Sequence, residues 1–392
     1  MKRILQKLTV ALFVLTAHLP VYKAGGQVFK KRAKERYRVD VLVPLYLDEL
    51  VKGLSATYKD KIPEKAQYGV GFYAGVTLAA DSLKHSGFNV DIYVHDIASA
   101  KETTGKLISH GLDSSDLIIG AVDAHDVEVV SGLASRKNIN FISTASASVG
   151  ADYNNPYLTF LQPSVKAYCD LIVDDVLARF PKENITLLYR TKDARDAAAY
   201  DYISDGLAHK AHVQYMAGNT PPRKGNFSLF IDPAKTNVFI IPVQDIALAD
   251  TILHRLAHDF PGVNLQVYGM PGWSTIGELR KESAFPTLSV NIPAPHTLDP
   301  LSPLGQYVKH IYKEVYAGKM PESAYYGFEI MFWYANMLRK YGVGFNDKYT
   351  DNTKANLAHF DIQPQTDKKG NTLYYENRNI YFTRYGGHPH KK

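Results

Sequence analysis

Three serine hydroxyls fall within six residues, at Ser143, Ser146 and Ser148, in the loop that follows the strand-like run Asn140-Phe-Ile-Ser. Hydroxyls and backbone amides grouped in this way can hold a carboxylate or another acceptor, and the same residues can equally cap a loop that binds nothing. Asp250, His254 and His258 recur at a spacing of four on a predicted helix, so all three share a face. A zinc site needs a further ligand or an open water position, and the polar residues around these three suit a solvated helix face. No metal is assigned to them, and His388-Pro-His390 reads as a loose tail. Gly69, Gly71 and Gly75 have the look of a phosphate loop. A dinucleotide fingerprint follows its strand directly, however, and about twenty residues separate these glycines from Val39–Leu45, so close helix packing is the better account. There is no Gly-x-Ser-x-Gly elbow, no Walker loop and no His-Glu-x-x-His, and the chain has one cysteine. The expectation is therefore a protein that is not an enzyme and carries no cofactor.

The elements that position these residues alternate. Val39-Asp-Val-Leu-Val-Pro-Leu opens a β-rich run, and Gln67–His85 carries Tyr68, Phe72, Val76, Ala80 and Leu83 at helical spacing. Strand-like segments at Val90, Asp116 and Asn140 then alternate with predicted helices over 98–110 and 124–137. The pattern restarts with a helix over Val165–Phe180, followed by strand-like runs at Asn184, Val213, Asn237 and Leu265 between helices near 193–209 and 245–260. Such alternation predicts parallel sheets covered on both faces, and 392 residues suffice for two α/β units. Beyond a strand at Thr287–Asn291, two amphipathic helices are expected over Leu304–Ala317 and Ser323–Tyr341. Asn371–Tyr375 and Ile380–Tyr385 read as further strands.

Charge is unevenly placed. The chain carries a formal +6, but residues 1–26 contain four basic residues and no acid, and residues 27–38 carry a further +5, which leaves the body from Val39 at about −3. A nucleic-acid surface needs basic residues spread over the folded body, so no nucleic-acid partner is expected. Lys2, Arg3 and Lys7 precede the apolar run Leu8–Leu15, and Ala24-Gly25-Gly26 supplies small residues, an order that reads as a cleavable secretory signal over 1–26. A membrane anchor is the competing reading, but His18, Pro20 and Lys23 interrupt the run well short of the ~20 residues needed to span. Residues 27–38 read as a solvated basic leader. Cys169, flanked by Ala167 and Ile172, reads as a buried, inert thiol.

Asp116-Leu-Ile-Ile-Gly-Ala, the helix after it, and Ser135-Arg-Lys-Asn-Ile-Asn-Phe-Ile-Ser-Thr-Ala-Ser-Ala-Ser together resemble the type I periplasmic solute-binding proteins, the group that includes branched-chain amino-acid receptors of ABC transporters. The likeness runs from about Val39 to Tyr385. Phe160-Leu-Gln-Pro-Ser is similar to the first crossover between lobes, and Val267-Tyr-Gly-Met-Pro-Gly to the second. Val41-Leu-Val-Pro-Leu-Tyr-Leu-Asp, Tyr326-Gly-Phe-Glu and Glu376-Asn-Arg-Asn-Ile resemble binding-protein-like domains of Bacteroidetes envelope proteins.

The resemblance implies two doubly wound, Rossmann-like α/β lobes joined by a three-segment hinge, with ligand between them at the carboxyl ends of the strands. It implies a first lobe over 39–160 and 271–355, a second over 161–270 and 356–385, and a tail over 386–392. It places Ser143, Ser146 and Ser148 on the ligand loop. Ala124 then stands where amino-acid receptors commonly use a hydroxyl residue, and Arg195 and Gln244 would face the cleft from the second lobe. The neighbouring Asp193 and Asp245 read primarily as helix N-caps. Trp273 stacks on a ligand or packs the hinge. The implied function is a periplasmic protein that captures a small polar ligand, amino-acid-like or cell-wall-derived, for uptake through an inner-membrane permease. The alternative is an envelope scaffold or regulator with a degenerate cleft.

Overall fold

The computed structural model describes residues 36–52, 55–57, 61–189, 193–218, 227–281, 285, 288–295, 299–351 and 360–386. The signal-like segment, most of the basic leader and the histidine-containing tail lie outside these residues.

Two parallel-dominated sheets organise the chain. The first contains β1 (Tyr37–Val43), β2 (Val90–Asp96), β3 (Leu117–Gly120), β4 (Asn140–Ser146) and β5 (Leu158–Gln162). The second contains β6 (Asn184–Tyr189), β7 (Val213–Ala217), β8 (Asn237–Ile240), β9 (Leu265–Tyr268) and β10 (Leu288–Pro295). Three further strands, β11 (Ile362–Thr366), β12 (Thr372–Asn377) and β13 (Ile380–Gly386), close the edges. The strand orders are β11-β12-β5-β4-β3-β1-β2 and β13-β10-β9-β8-β6-β7. Within each, the first five strands run parallel and repeat one winding, second-first-third-fourth-fifth, as expected of doubly wound α/β units.

The strands form where the sequence is mostly apolar, because both faces of a parallel sheet are covered. All four residues of β3, β8 and β9 are buried. In the first sheet Val39, Val41 and Val43 face one core, with Leu117, Ile119 and Ile142, while Leu42, Ile118 and Phe141 face the other. The first core lies under α1 (Glu64–His85) and under α8 (Glu322–Tyr341), and the second under α2 (Thr104–His110) and α3 (Ala124–Lys137). The second sheet buries α4 (Val165–Arg179), α5 (Ala194–Leu207) and α6 (Ile246–Asp259). An amphipathic α7 (Pro303–Tyr316) precedes α8.

Gly69, Gly71 and Gly75 do serve close packing. A Cβ on Gly75 would overlap the Ala324 carbonyl of α8, one on Gly71 would overlap Ser323 Oγ, and one on Gly69 would overlap the Pro44 carbonyl. Gly327 reciprocates against Phe72 O, so α1 and α8 touch backbone to backbone.

Strand membership departs from the expected boundaries. β10, expected in the first lobe, pairs parallel with β9 in the second sheet. The chain therefore does not cross at Val267–Gly272 but after β10, before α7. β11 and β12, expected in the second lobe, extend the first sheet through β5, and only β13 joins the second. β11 itself had no strand-like signal, since Gln363, Pro364 and Gln365 interrupt its apolar pattern. Arg38, counted with the leader, lies inside β1 and pairs with the fully buried Asp40. The helix expected from Ala98 begins only at Thr104, because Asp96 ties the preceding loop by accepting from Ala98 N.

Candidate functional site

The carboxyl ends of β4 and β5 open on a small pocket of about 70 Å³, partly open to solvent and lined by Tyr68, Thr144, Leu161, Gln162, Tyr326 and Ile330. Each wall has a distinct origin. Thr144 lies at a register shift in β4 between Ser143 and Ser146, and Gln162 ends β5 opposite Ser146. Pro163 stops the strand there by removing a ladder donor. Tyr68 comes from the first turns of α1, and Tyr326 and Ile330 from successive turns of α8, brought in by the glycine-mediated α1–α8 contact.

The lining is uncharged. Burial raises the pKa of Tyr68, opposed by a hydrogen bond with Thr144, although 44 % of the residue is exposed. Burial, with Glu322 and Glu329 nearby, pushes Tyr326 up to about 12. Both are neutral phenols at physiological pH. Tyr168 of α4 has its pKa raised by burial and then by Glu376 and Tyr326.

Behind the pocket the crossovers are pinned. Asn377 Nδ2 donates to Leu161 O (3.1 Å), and Ser164 N, at the cap of α4, donates to Glu376 Oε1 (2.6 Å). Arg378 donates to Asp170 Oδ2 (2.7 Å) and to Glu376 Oε2 (3.3 Å). Burial opposes the charge on Arg378, and its bonds to Asp170 and Glu376 outweigh that and raise its pKa. The loop after β1 is fixed by Asp96, whose carboxylate accepts from Leu45 N, Tyr46 N and Leu47 N at 2.7–3.1 Å.

None of the seven residues singled out from the sequence lines this pocket. Ser143 is fully buried and its Oγ accepts from Ala145 N (3.1 Å), which occupies its hydroxyl locally. Ser146 is exposed at the end of β4, and Ser148 N donates to Tyr153 OH (3.4 Å). Ala124 is exposed on the first turn of α3, whose cap is Asp123. Arg195 is exposed on the first turn of α5, where its backbone N–H and that of Asp196 are capped by Asp193. Gln244 N donates to the buried Asp196 (2.8 Å), while its Nε2 is buried without a hydrogen-bond partner among the described residues. Asp245 caps α6 through Leu248 N. Trp273 packs, though in a core rather than at a crossover. It is fully buried in the second-lobe core against Gly269, with Nε1 donating to Val243 O (2.7 Å).

His254 pairs with Glu278 (3.0 Å) rather than with His258, which turns to Asp259. Among the described residues no cluster of three His, Cys, Asp or Glu is arranged for a metal. No helix among them is long and apolar enough to cross a membrane.

Of the pocket-lining residues, Tyr68 and Gln162 were the hardest to see. Tyr68 fits the apolar stripe of α1, and Gln162 shows only as a polar residue interrupting Leu158–Leu161 just before a proline.

Comparison with solved structures settles the architecture. A putative branched-chain amino acid ABC transporter protein from Rhodospirillum rubrum superposes with a TM-score of 0.62 over 89% of this chain and 96% of its own, at 11% identity. This is the type I periplasmic binding-protein fold. A branched-chain amino acid ABC transporter periplasmic ligand-binding protein from Burkholderia xenovorans LB400 shares that fold at TM-score 0.56 and 14% identity, over 91% of this chain and 92% of the other. So does the C-domain of LpoA from Haemophilus influenzae, a regulator of PBP1A, at TM-score 0.56 and 12% identity, over 89% and 97%. No protein-family model matches the sequence, and the sequence search of curated proteins finds no match. In the periplasmic binding-protein fold the carboxyl ends of the strands are where ligands sit, and the pocket beside Thr144 and Gln162 is at such an end.

Proposed function

We propose that this chain is a solute-binding protein of the periplasm, exported by its N-terminal segment, that captures a small polar ligand between its lobes for delivery to an inner-membrane permease of ABC type. The observation that carries the reading is the pocket at the ends of β4 and β5, lined in part by Tyr68, Tyr326, Thr144 and Gln162 beside the first crossover. Its role is binding without turnover. Ligand favours the lobe arrangement it contacts best, by its differential affinity for the two states. The test is thermal shift and small-angle scattering of purified protein against amino-acid, peptide, sugar and muropeptide panels. A raised melting temperature with a smaller radius of gyration is expected, and a flat response throughout would refute the proposal.

A second reading, a non-transport envelope regulator, draws on two observations. Ala124 provides no hydroxyl at the start of α3, and the Ser143 hydroxyl is occupied within its own strand. The LpoA C-domain, a regulator, shares the fold. That reading predicts a stable protein partner in envelope extracts whose capture is insensitive to Tyr68→Ala.

A further inference from the structure

Two links leave the first lobe for the same helix of the second. Glu376, in β12, accepts from Ser164 N (2.6 Å) at the cap of α4, whose buried Cys169, Ile172, Val173 and Val176 belong to the second-lobe core. Arg378 reaches the second turn of that helix and donates to Asp170 Oδ2 (2.7 Å). Its backbone stays with the first lobe, since Arg378 N donates to Asp361 O (2.7 Å), just ahead of β11. The two links differ in what breaking them would cost. Glu376 is 1% exposed, and losing Ser164 N would leave a buried carboxylate short of a donor. The Asp170 side chain is 31% exposed and has a second cation, with Lys166 Nζ 2.8 Å from both of its oxygens one turn earlier on α4. Arg378 likewise keeps Glu376 Oε2 at 3.3 Å. Parting Arg378 from Asp170 therefore strands neither charge, so this contact can open and reclose while the other stays made. Two cations that share one carboxylate also repel each other, so Lys166 weakens the hold of Arg378.

We propose that the Arg378–Asp170 pair is a releasable latch between the lobes, with Ser164 and Glu376 as the pivot and Lys166 as the partner that keeps Asp170 on release. This rests on the two lobe arrangements of the binding reading above and names the contact that sets their ratio. Spin labels at Glu128→Cys in α3 and Arg255→Cys in α6, both exposed and one in each lobe, report the lobe separation in the full chain by electron–electron double resonance, the native Cys169 being buried. One principal and one minor separation are expected. Asp170→Asn, close to the native residue in size, should raise the minor population by about two- to fivefold, the factor a half-buried ion pair supplies. Salt at about 1 M should move the wild-type populations the same way. Lys166→Ala should move them the opposite way, because Arg378 then holds Asp170 without a competitor. Identical distributions for wild type and Asp170→Asn would overturn the latch. So would a Lys166→Ala shift in the same direction as Asp170→Asn, the mark of a helix weakened in general. If the latch fails while the ligand panel raises the melting temperature, the binding reading stands. A flat panel with the opposed shifts intact removes the binding reading and leaves the latch.

Discussion

Arg378 Nη2 lies 2.7 Å from Asp170 Oδ2, and this one contact joins the last crossover, leaving the first sheet at β12, to the helix that opens the second lobe. The same guanidinium neutralises Glu376, a carboxylate that is 1% exposed. Removing one member of a buried pair costs far more than the pair itself contributes, because the remaining charge is stranded. Arg378→Met should therefore lower unfolding stability by about 3 kcal/mol, and adding Glu376→Gln should restore part of it. Urea titration of the two variants checks this. Equal midpoints for wild type and Arg378→Met would show that the clamp contributes nothing.

Acid sensitivity should trace to Asp40. Burial raises its pKa, but hydrogen bonds from His95, Arg38 and Ser115 outweigh that and hold it below the usual carboxylate value. A group whose pKa is depressed in the folded state adds stability above its unfolded pKa, and that contribution is lost as pH falls through the lower folded value. The Asp40 contribution is thus intact at neutral pH and declines below about pH 4. Asp40→Asn should lose stability at pH 7 and show a shallower decline on the acid side, measured as unfolding midpoint against pH. A variant whose acid limb parallels wild type would rule Asp40 out as its source.

Helix contact should be intolerant of a single methyl group. Gly75→Ala would place Cβ in the Ala324 carbonyl, so α1 and α8 must separate, at a cost of several kcal/mol or more. Gly105→Ala, in α2 with open space around it, should be neutral or stabilising by about 0.5–1 kcal/mol. Melting temperatures of the two variants give the comparison, and similar values would mean that the close approach is not required.

Cys169 should be chemically silent in the native protein. Burial pushes its thiol up to about 12, with Asp170 adding to the shift, so the reactive thiolate is scarce. Iodoacetamide should label it only after unfolding, as read by intact-mass analysis. Rapid labelling of folded protein would contradict the buried placement.

Much of the architecture was legible because parallel strands are buried on both faces and write themselves as mostly apolar runs. Leu117–Gly120, Asn237–Ile240 and Leu265–Tyr268 stood out for that reason, and the caps at Asp193 and Asp245 marked where two helices begin. Local chemistry also decided that Asp193 and Asp245 cap and that the glycines of α1 pack. The sequence by itself thus determined two repeated α/β windings, their order along the chain, and a net-acidic body behind a basic leader.

Only the tertiary structure decided which sheet the late strands join. Pairing of β10 with β9, and of β12 with β5, depends on which sheet edge is open when the strand arrives; Leu288 pairs with Leu265 and Tyr375 with the far more distant Thr159, and neither pairing leaves a local trace. The same holds for the pocket. Tyr68, Thr144, Gln162 and Tyr326 come from four elements, and nothing in their own neighbourhoods distinguishes an aromatic that faces a cavity from one that fills a core. Trp273 shows the converse: left open by sequence between stacking on a ligand and packing the hinge, it is drawn into the second-lobe core, where its ring is fully buried and its N–H meets Val243 O.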